Sequence, residues 1–282
     1  MLFRSFMFAN RDSSTRSRSQ SEKSDSPMLY LLQSIYILGA SCLIPMAPFL
    51  LLQAKWTRKK VGVIPPAAGD VRGRTSGDGP LRKLLVIGES TVAGLGARTH
   101  KEALSGQFAR FLSEILSTPV EWYAIGKNGV TARQTLRELV PQIPQEHFDF
   151  ILLGVGGNDV LKLTSPVGWR RTMNELLTEM RRRYPSSTIF MTNAPAVHLS
   201  PILPQPIKLI LGSLSKMHDL NAKEFTQNWK QVFYFHRPDE VPADFFADGI
   251  HPSENGYELW SHRMVEFFSK HQEWSPHKAE PH

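Results

Sequence analysis

Apolar positions follow two rhythms in this chain, and the change from one to the other falls near residue 81. Residues 29–54 form one stretch without a charged side chain, longer than the roughly 20 apolar residues that cross a bilayer. Beyond residue 81 short apolar blocks alternate with longer amphipathic stretches. The blocks 84–87, 120–125, 150–155, 188–192 and 231–235 read as strands. The first is wholly apolar, as expected of a strand buried on both faces. Leu104, Phe108, Leu112 and Ile115 recur at helical spacing behind Thr99 and Glu102, which read as a T-x-x-E capping box. Residues 131–140 predict a helix stopped by Pro141. Ser165 and Pro166 predict the start of a helix running towards Tyr184, and Ser253 starts a last one. This alternation predicts an α/β fold, a three-layer α/β/α sandwich around a central parallel sheet. Functional groups are then expected at the carboxyl ends of the strands.

The same patterning divides the chain. Residues 1–28 are rich in Ser and Arg and predict a disordered segment. Residues 29–54 predict a single transmembrane anchor in which Pro45 and Pro48 introduce kinks. A cleaved signal peptide fits less well, because the stretch exceeds a usual signal core and no A-x-A site closes it. Residues 55–80, rich in Gly, Pro and Arg, predict a flexible linker. Residues 81–273 are the expected catalytic domain and 274–282 a tail. Lys55, Arg58, Lys59 and Lys60 follow the apolar stretch directly and favour a cytoplasmic catalytic domain, against the opposing pull of Arg16, Arg18 and Lys23.

Charge then excludes one class of partner. The net charge is +7, but residues 1–80 hold 11 Lys/Arg against 5 Asp/Glu, and residues 81–282 hold 22 against 21. The folded part is nearly neutral, which argues against nucleic acid. The single cysteine, Cys42, forms no intramolecular disulfide.

Four separated segments carry chemistry: Gly88-Glu89-Ser90-Thr91, Gly129, Gly156-Gly157-Asn158-Asp159 and Asp248-Gly249-Ile250-His251. Ser90, on the turn after a buried strand, is the expected nucleophile. His251 is its base and Asp248 the carboxylate that orients the imidazole. The N–H groups of Ser90 and Gly129 and the side-chain amide of Asn158 are the expected oxyanion donors. Gly94-Leu95-Gly96-Ala97-Arg98-Thr99 ends in threonine, so it is no dinucleotide loop. His236, Asp239, Asp244, Asp248 and His251 cluster in sequence without recognised metal-ligand spacing, so no metal or other cofactor is expected. His100, His147, His198, His218, His236 and His262 lack motif context and read mostly as surface groups.

In order and spacing these segments resemble the conserved blocks of the SGNH, or GDSL-type, hydrolases, over about residues 81–273. The resemblance implies serine catalysis without metal on small ester or thioester substrates. It departs in one place: Glu89 stands where that family usually has aspartate, an acid that supports the loop by hydrogen bonds. Residues 198–217, rich in Pro and aliphatic side chains, read either as a helix on the sheet or as an apolar flap over an acyl pocket. The favoured substrates are lipid-like or short acyl esters. A carbohydrate O-acetyl esterase or acyltransferase, with Trp122 and Trp169 as sugar-stacking groups, and a tethered binding module without activity are the alternatives.

Overall fold

The computed structural model describes residues 26–270 except 63 and 237. Its centre is a six-stranded sheet: β1 (Arg72–Arg74), β2 (Arg82–Gly88), β3 (Val120–Gly126), β4 (Phe150–Gly154), β5 (Thr188–Met191) and β6 (Val232–Tyr234), in the order β1-β3-β2-β4-β5-β6. All neighbours are parallel except β1, which pairs antiparallel with β3. The sheet is therefore mixed, not purely parallel, and residues 72–74 belong to it although they read as linker. Arg72 lies over the Tyr123 ring at 4.1 Å and pairs with Glu146 at 2.9 Å, which fixes this edge strand without apolar residues of its own.

Alternate residues of the central strands enter two separate cores. Leu85, Ile87, Ile151 and Leu153 pack against Met173, Leu176 and Leu177 of α5 (Pro166–Arg183) and against Phe225 of α6 (Ile207–Phe225). Leu84, Val86, Leu152 and Phe190 face α3 (Leu104–Leu116) and α7 (Glu254–Ser269). Within that second core Phe190 lies 4.6 Å from the Phe268 ring and 5.7 Å from that of Phe108. Both faces are thus covered, which forces near-continuous apolar character on β2 and β4.

Several local expectations change. Ser165 and Ser253 cap α5 and α7 as read, each accepting an N–H three residues on. Thr99 and Glu102 do bond each other, but they close a turn ahead of α3, whose N-cap is Ala103. Residues 132–142 are not one helix: three α-helical residues give way to a π turn and then a 3-10 turn around Pro141. Of the flap, 207–217 is part of α6, with Leu211 and Leu214 buried, so the packed-helix alternative describes that portion.

The apolar stretch is helical from α1 (Pro27–Leu43) through a 3-10 turn at Ile44–Met46 into α2 (Ala47–Val61). Together it is one helical unit, Pro27–Lys60, long and apolar enough to cross a membrane. Residues 55–61, read as linker, lie inside α2. Ala67 and Ala68 bond the carbonyls of Ala93 and Arg98, so this part of the expected linker is fixed to the domain. The disordered segment expected over 1–28 lies outside the described residues up to 25, whereas Ser26 caps α1. Residues 271–282, which include the expected tail, also lie outside them.

Candidate active site

Gly88, Gly126 and Gly154 pair in register at the carboxyl ends of β2, β3 and β4, and the loop carrying Ser90 turns back across them. The Glu89 N–H donates to the Gly154 carbonyl at 2.8 Å, and the Leu95 N–H donates to that of Ser90 at 3.1 Å. Ser90 is buried, with 7% of its surface exposed.

Glu89 ties this loop to the third block. Its carboxylate accepts the N–H of Gly157 at 2.7 Å, the N–H of Asn158 at 2.8 Å and the Asn158 side-chain amide at 2.6 Å. Gly157 and Asn158 open the short helix α4 (Gly157–Leu161), so a carboxylate from another loop satisfies its orphan N–H groups. The amide of Asn158 has two hydrogens. With one held by Glu89, the other is directed by a fixed group. The glutamate that replaces the expected aspartate thus makes three bonds across two loops, and its extra methylene is accommodated by that reach.

Burial pushes the Glu89 carboxyl up to about 7, outweighing the N–H donors from Asn158 and Gly157. The folded state therefore holds this proton between the ordinary carboxylate value of about 4.5 and about 7. Below that window the group favours folding; the contribution is lost as pH rises through it, by about 3 kcal/mol. His218 acts in the opposite sense, since burial depresses it to about 4. The effect is therefore expected in a difference: wild-type stability relative to Glu89→Gln falls by about 3 kcal/mol from pH 4.5 to 7 in urea unfolding. A flat difference would show that Glu89 is already ionised at pH 5.

The second block is joined to the third. Asp159 accepts the Ala132 N–H at 2.8 Å, and Lys162 donates to the Gly129 carbonyl at 3.0 Å. Gly129 has φ +81°, and a Cβ there would meet no atom within 4 Å, so the space beside its Cα is open.

In the fourth block Asp248 and His251 form one rigid unit. Asp248 Oδ2 lies 2.8 Å from His251 Nδ1, while Oδ1 accepts the N–H groups of Ile250 at 2.9 Å and His251 at 2.7 Å. A carboxylate only accepts, so Nδ1 carries the proton and Nε2 is left as the basic nitrogen. Burial raises the Asp248 carboxyl, but the bonds from His251 outweigh it and hold the acid below its ordinary range.

Three contacts bring this block to the Ser90 loop. A Cβ on Gly96 would stand 2.1 Å from the Pro252 carbonyl oxygen, so only glycine permits the approach. The buried Tyr257 hydroxyl donates to the Leu95 carbonyl at 2.7 Å. Arg98 pairs with Glu254 at 2.9 Å. From the other side the Ser200 hydroxyl donates to the Gly249 carbonyl at 2.6 Å. Sequence reasoning gave none of Tyr257, Ser200, Lys162 and Gly96 a role, since no local motif marks a residue whose partner lies in a distant loop.

Other candidates fall away on burial. Trp122 and Trp169 are 4% and 3% exposed, so neither presents a face to a sugar. His100 and His218 are buried, not surface groups; His218 stacks on Trp169 at 4.7 Å and bonds the Thr164 carbonyl. Among the described residues no three His, Cys, Asp or Glu gather as metal ligands. A mainly apolar cavity of about 100 Å³ lies on the Glu89 side of the Ser90 loop, lined by Thr192, Phe245, Phe246, Ile250 and Trp260. Ser90, Asn158 and His251 do not line it, so it is not assigned to substrate.

The sequence profile of the GDSL-like lipase/acylhydrolase family matches residues 86–259. No curated protein matches in sequence. Among solved structures, the lipase Lip_vut3 from a goat rumen metagenome is similar at 16% identity and a TM-score of 0.53, covering 66% of this chain and 96% of its own. Est24, a carbohydrate acetylesterase from Sinorhizobium meliloti, is similar at 17% identity and a TM-score of 0.50, covering 67% and 98%. At these identities the likeness speaks to the fold.

Proposed function

The chain belongs to the GDSL-like lipase/acylhydrolase family and is an ester hydrolase, and on that premise we propose that Ser90 is its nucleophile. His251 Nε2 takes the serine proton as Oγ attacks the ester carbonyl, and returns it to the leaving alcohol. Asp248 holds the imidazole in the tautomer this requires and stabilises the imidazolium. The negative charge on the carbonyl oxygen is met by the N–H groups of Ser90 and Gly129 and by the free hydrogen of the Asn158 amide. Water then attacks the acyl-enzyme by the same route. The observation that carries the reading is the Asp248–His251 unit, bonded at 2.8 Å and clamped by Pro252 and Tyr257 to the loop of Ser90. No step needs a metal or a cofactor.

The substrates proposed are esters of apolar acyl groups, with thioesters accessible to the same chemistry. The apolar helix of 27–60 supports attachment to a membrane and hence a supply of lipidic esters. A sugar-ester reading loses its stacking groups with the burial of Trp122 and Trp169.

Asn158→Ala tests the assignment on p-nitrophenyl esters. Losing one oxyanion donor should lower kcat about 100- to 1,000-fold, with KM nearly unchanged because the interaction forms only in the transition state. A loss under tenfold would remove Asn158 from the oxyanion site.

A further inference from the structure

The apolar helical unit lies along the catalytic domain instead of projecting from it. Near its start Leu29 and Leu32 are buried, Gln33 accepts the Val167 N–H at 3.2 Å, and Tyr36 donates to the Leu163 carbonyl at 2.7 Å. Near its end Thr57 is buried and Gln53 donates to the Gln205 carbonyl at 2.7 Å. Leu29 and Leu32 near one end and Thr57 near the other are buried, and Tyr36, Leu43 and Leu50 between them are half-buried at intervals of seven, so the unit is docked at its two ends while its middle stays largely exposed. The opposite face exposes Leu31, Leu38, Ile44, Phe49 and Leu52, each more than half accessible.

This arrangement is at odds with a helix that crosses a bilayer. Gln33 and Gln53 are separated by about 30 Å at 1.5 Å per residue, the thickness of the hydrocarbon core. If the unit spanned while both ends stayed docked, the domain surface beside it would enter the hydrocarbon. That surface includes the loop backbone at Leu163 and Gln205 where the unit docks, and irregular backbone facing lipid is not tolerated in the hydrocarbon region.

We propose that residues 27–60 form a monotopic anchor that lies in the plane of one leaflet, with the catalytic domain seated on it. The occupant of the outward face is an anionic bilayer surface. Tyr30 and Trp56 are exposed near the two ends, as interfacial aromatics are. Lys55, Arg58, Lys59 and Lys60 complement anionic headgroups, with Lys60 over the Trp56 ring at 5.3 Å. The domain adds apolar surface where the helices dock: Leu163 is 50% exposed beside Tyr36, and Leu209 is 65% exposed and bonds the Gln205 side chain. Leu163 lies five positions after Asn158 in sequence, so the membrane face adjoins the rim of the site and substrate enters from the bilayer. This deepens the reading of a membrane-attached ester hydrolase and rests on it.

Sidedness decides the matter. In a Cys42→Ser background, single cysteines at Pro27, Lys59 and Lys230 are labelled with a membrane-impermeant maleimide in sealed native membranes that still hydrolyse p-nitrophenyl esters. All three are expected to react from the same face and to be refractory from the other. Reaction of positions 27 and 59 from opposite faces overturns the proposal in favour of a spanning helix. Recovery of the active enzyme in the soluble fraction, with wild-type Cys42 cross-linking two chains, overturns it in favour of a second copy on the apolar face. In either case the hydrolysis measured in parallel leaves the catalytic reading standing or falling on its own.

Discussion

Ser90→Ala is expected to lower kcat/KM for p-nitrophenyl esters by about 10⁴- to 10⁶-fold, while the thermal midpoint moves by no more than a few degrees. The loss is large because the hydroxyl is the group proposed to form the covalent intermediate. What survives is stabilisation by the oxyanion donors acting on water attack, and members of such a unit fail together. The stability change is small because the loop is held by its backbone and by Glu89. The Leu95 N–H to Ser90 carbonyl bond and the three bonds to the Glu89 carboxylate survive the substitution. A fluorophosphonate probe should acylate the wild-type chain on the peptide containing Ser90 and leave the variant unlabelled. Labelling of another serine, or a variant retaining a tenth of the wild-type rate, would remove Ser90 from its proposed role.

What could be read from the sequence was what short-range patterning encodes. β2 and β4 were legible because burial on both faces leaves their runs 84–87 and 150–153 wholly apolar, and α5 and α7 because Ser165 and Ser253 are local caps. β1 was not, since Arg72-Gly73-Arg74 carries no apolar signal and owes its strand geometry to β3, Tyr123 and Glu146. The helix expected at 131–140 does begin there, where the structure adds a capping box of Thr131 and Gln134, but the π and 3-10 turns that follow could not be foreseen from spacing alone. In the candidate site, the pairing of Asp248 with His251 was legible because both fall in one short motif. The ties between blocks were not: Gly96 against Pro252, Tyr257 on Leu95 and Ser200 on Gly249 each join segments remote in sequence. The lie of the apolar helix escaped for the same reason. Hydropathy records that residues 29–54 avoid water, but only the inward stripe of Leu29, Tyr36 and Thr57 records which side meets protein.

Asp248→Asn is expected to cost about 10⁴-fold in kcat at neutral pH, with the fold intact, and the geometry says why a near-isosteric change does so much. One oxygen of Asp248 accepts two backbone N–H groups that cannot reverse their polarity, so the asparagine carbonyl must occupy the Oδ1 position. The asparagine NH₂ is then forced to face His251 Nδ1, where Oδ2 had been at 2.8 Å. Two donors cannot share that contact, so Nδ1 gives up its proton and Nε2 takes it. The imidazole is thereby locked in the tautomer that cannot accept the Ser90 proton. Removing the carboxylate also leaves the imidazolium of the transition state without its counter-charge, and the two effects act on kcat, not on KM. Fluorophosphonate labelling of Ser90, which needs the same proton transfer, should slow in parallel. If Asp248→Asn retained labelling and turnover within tenfold of wild type, His251 would not be the base that serves Ser90, whatever the strength of its bond to Asp248.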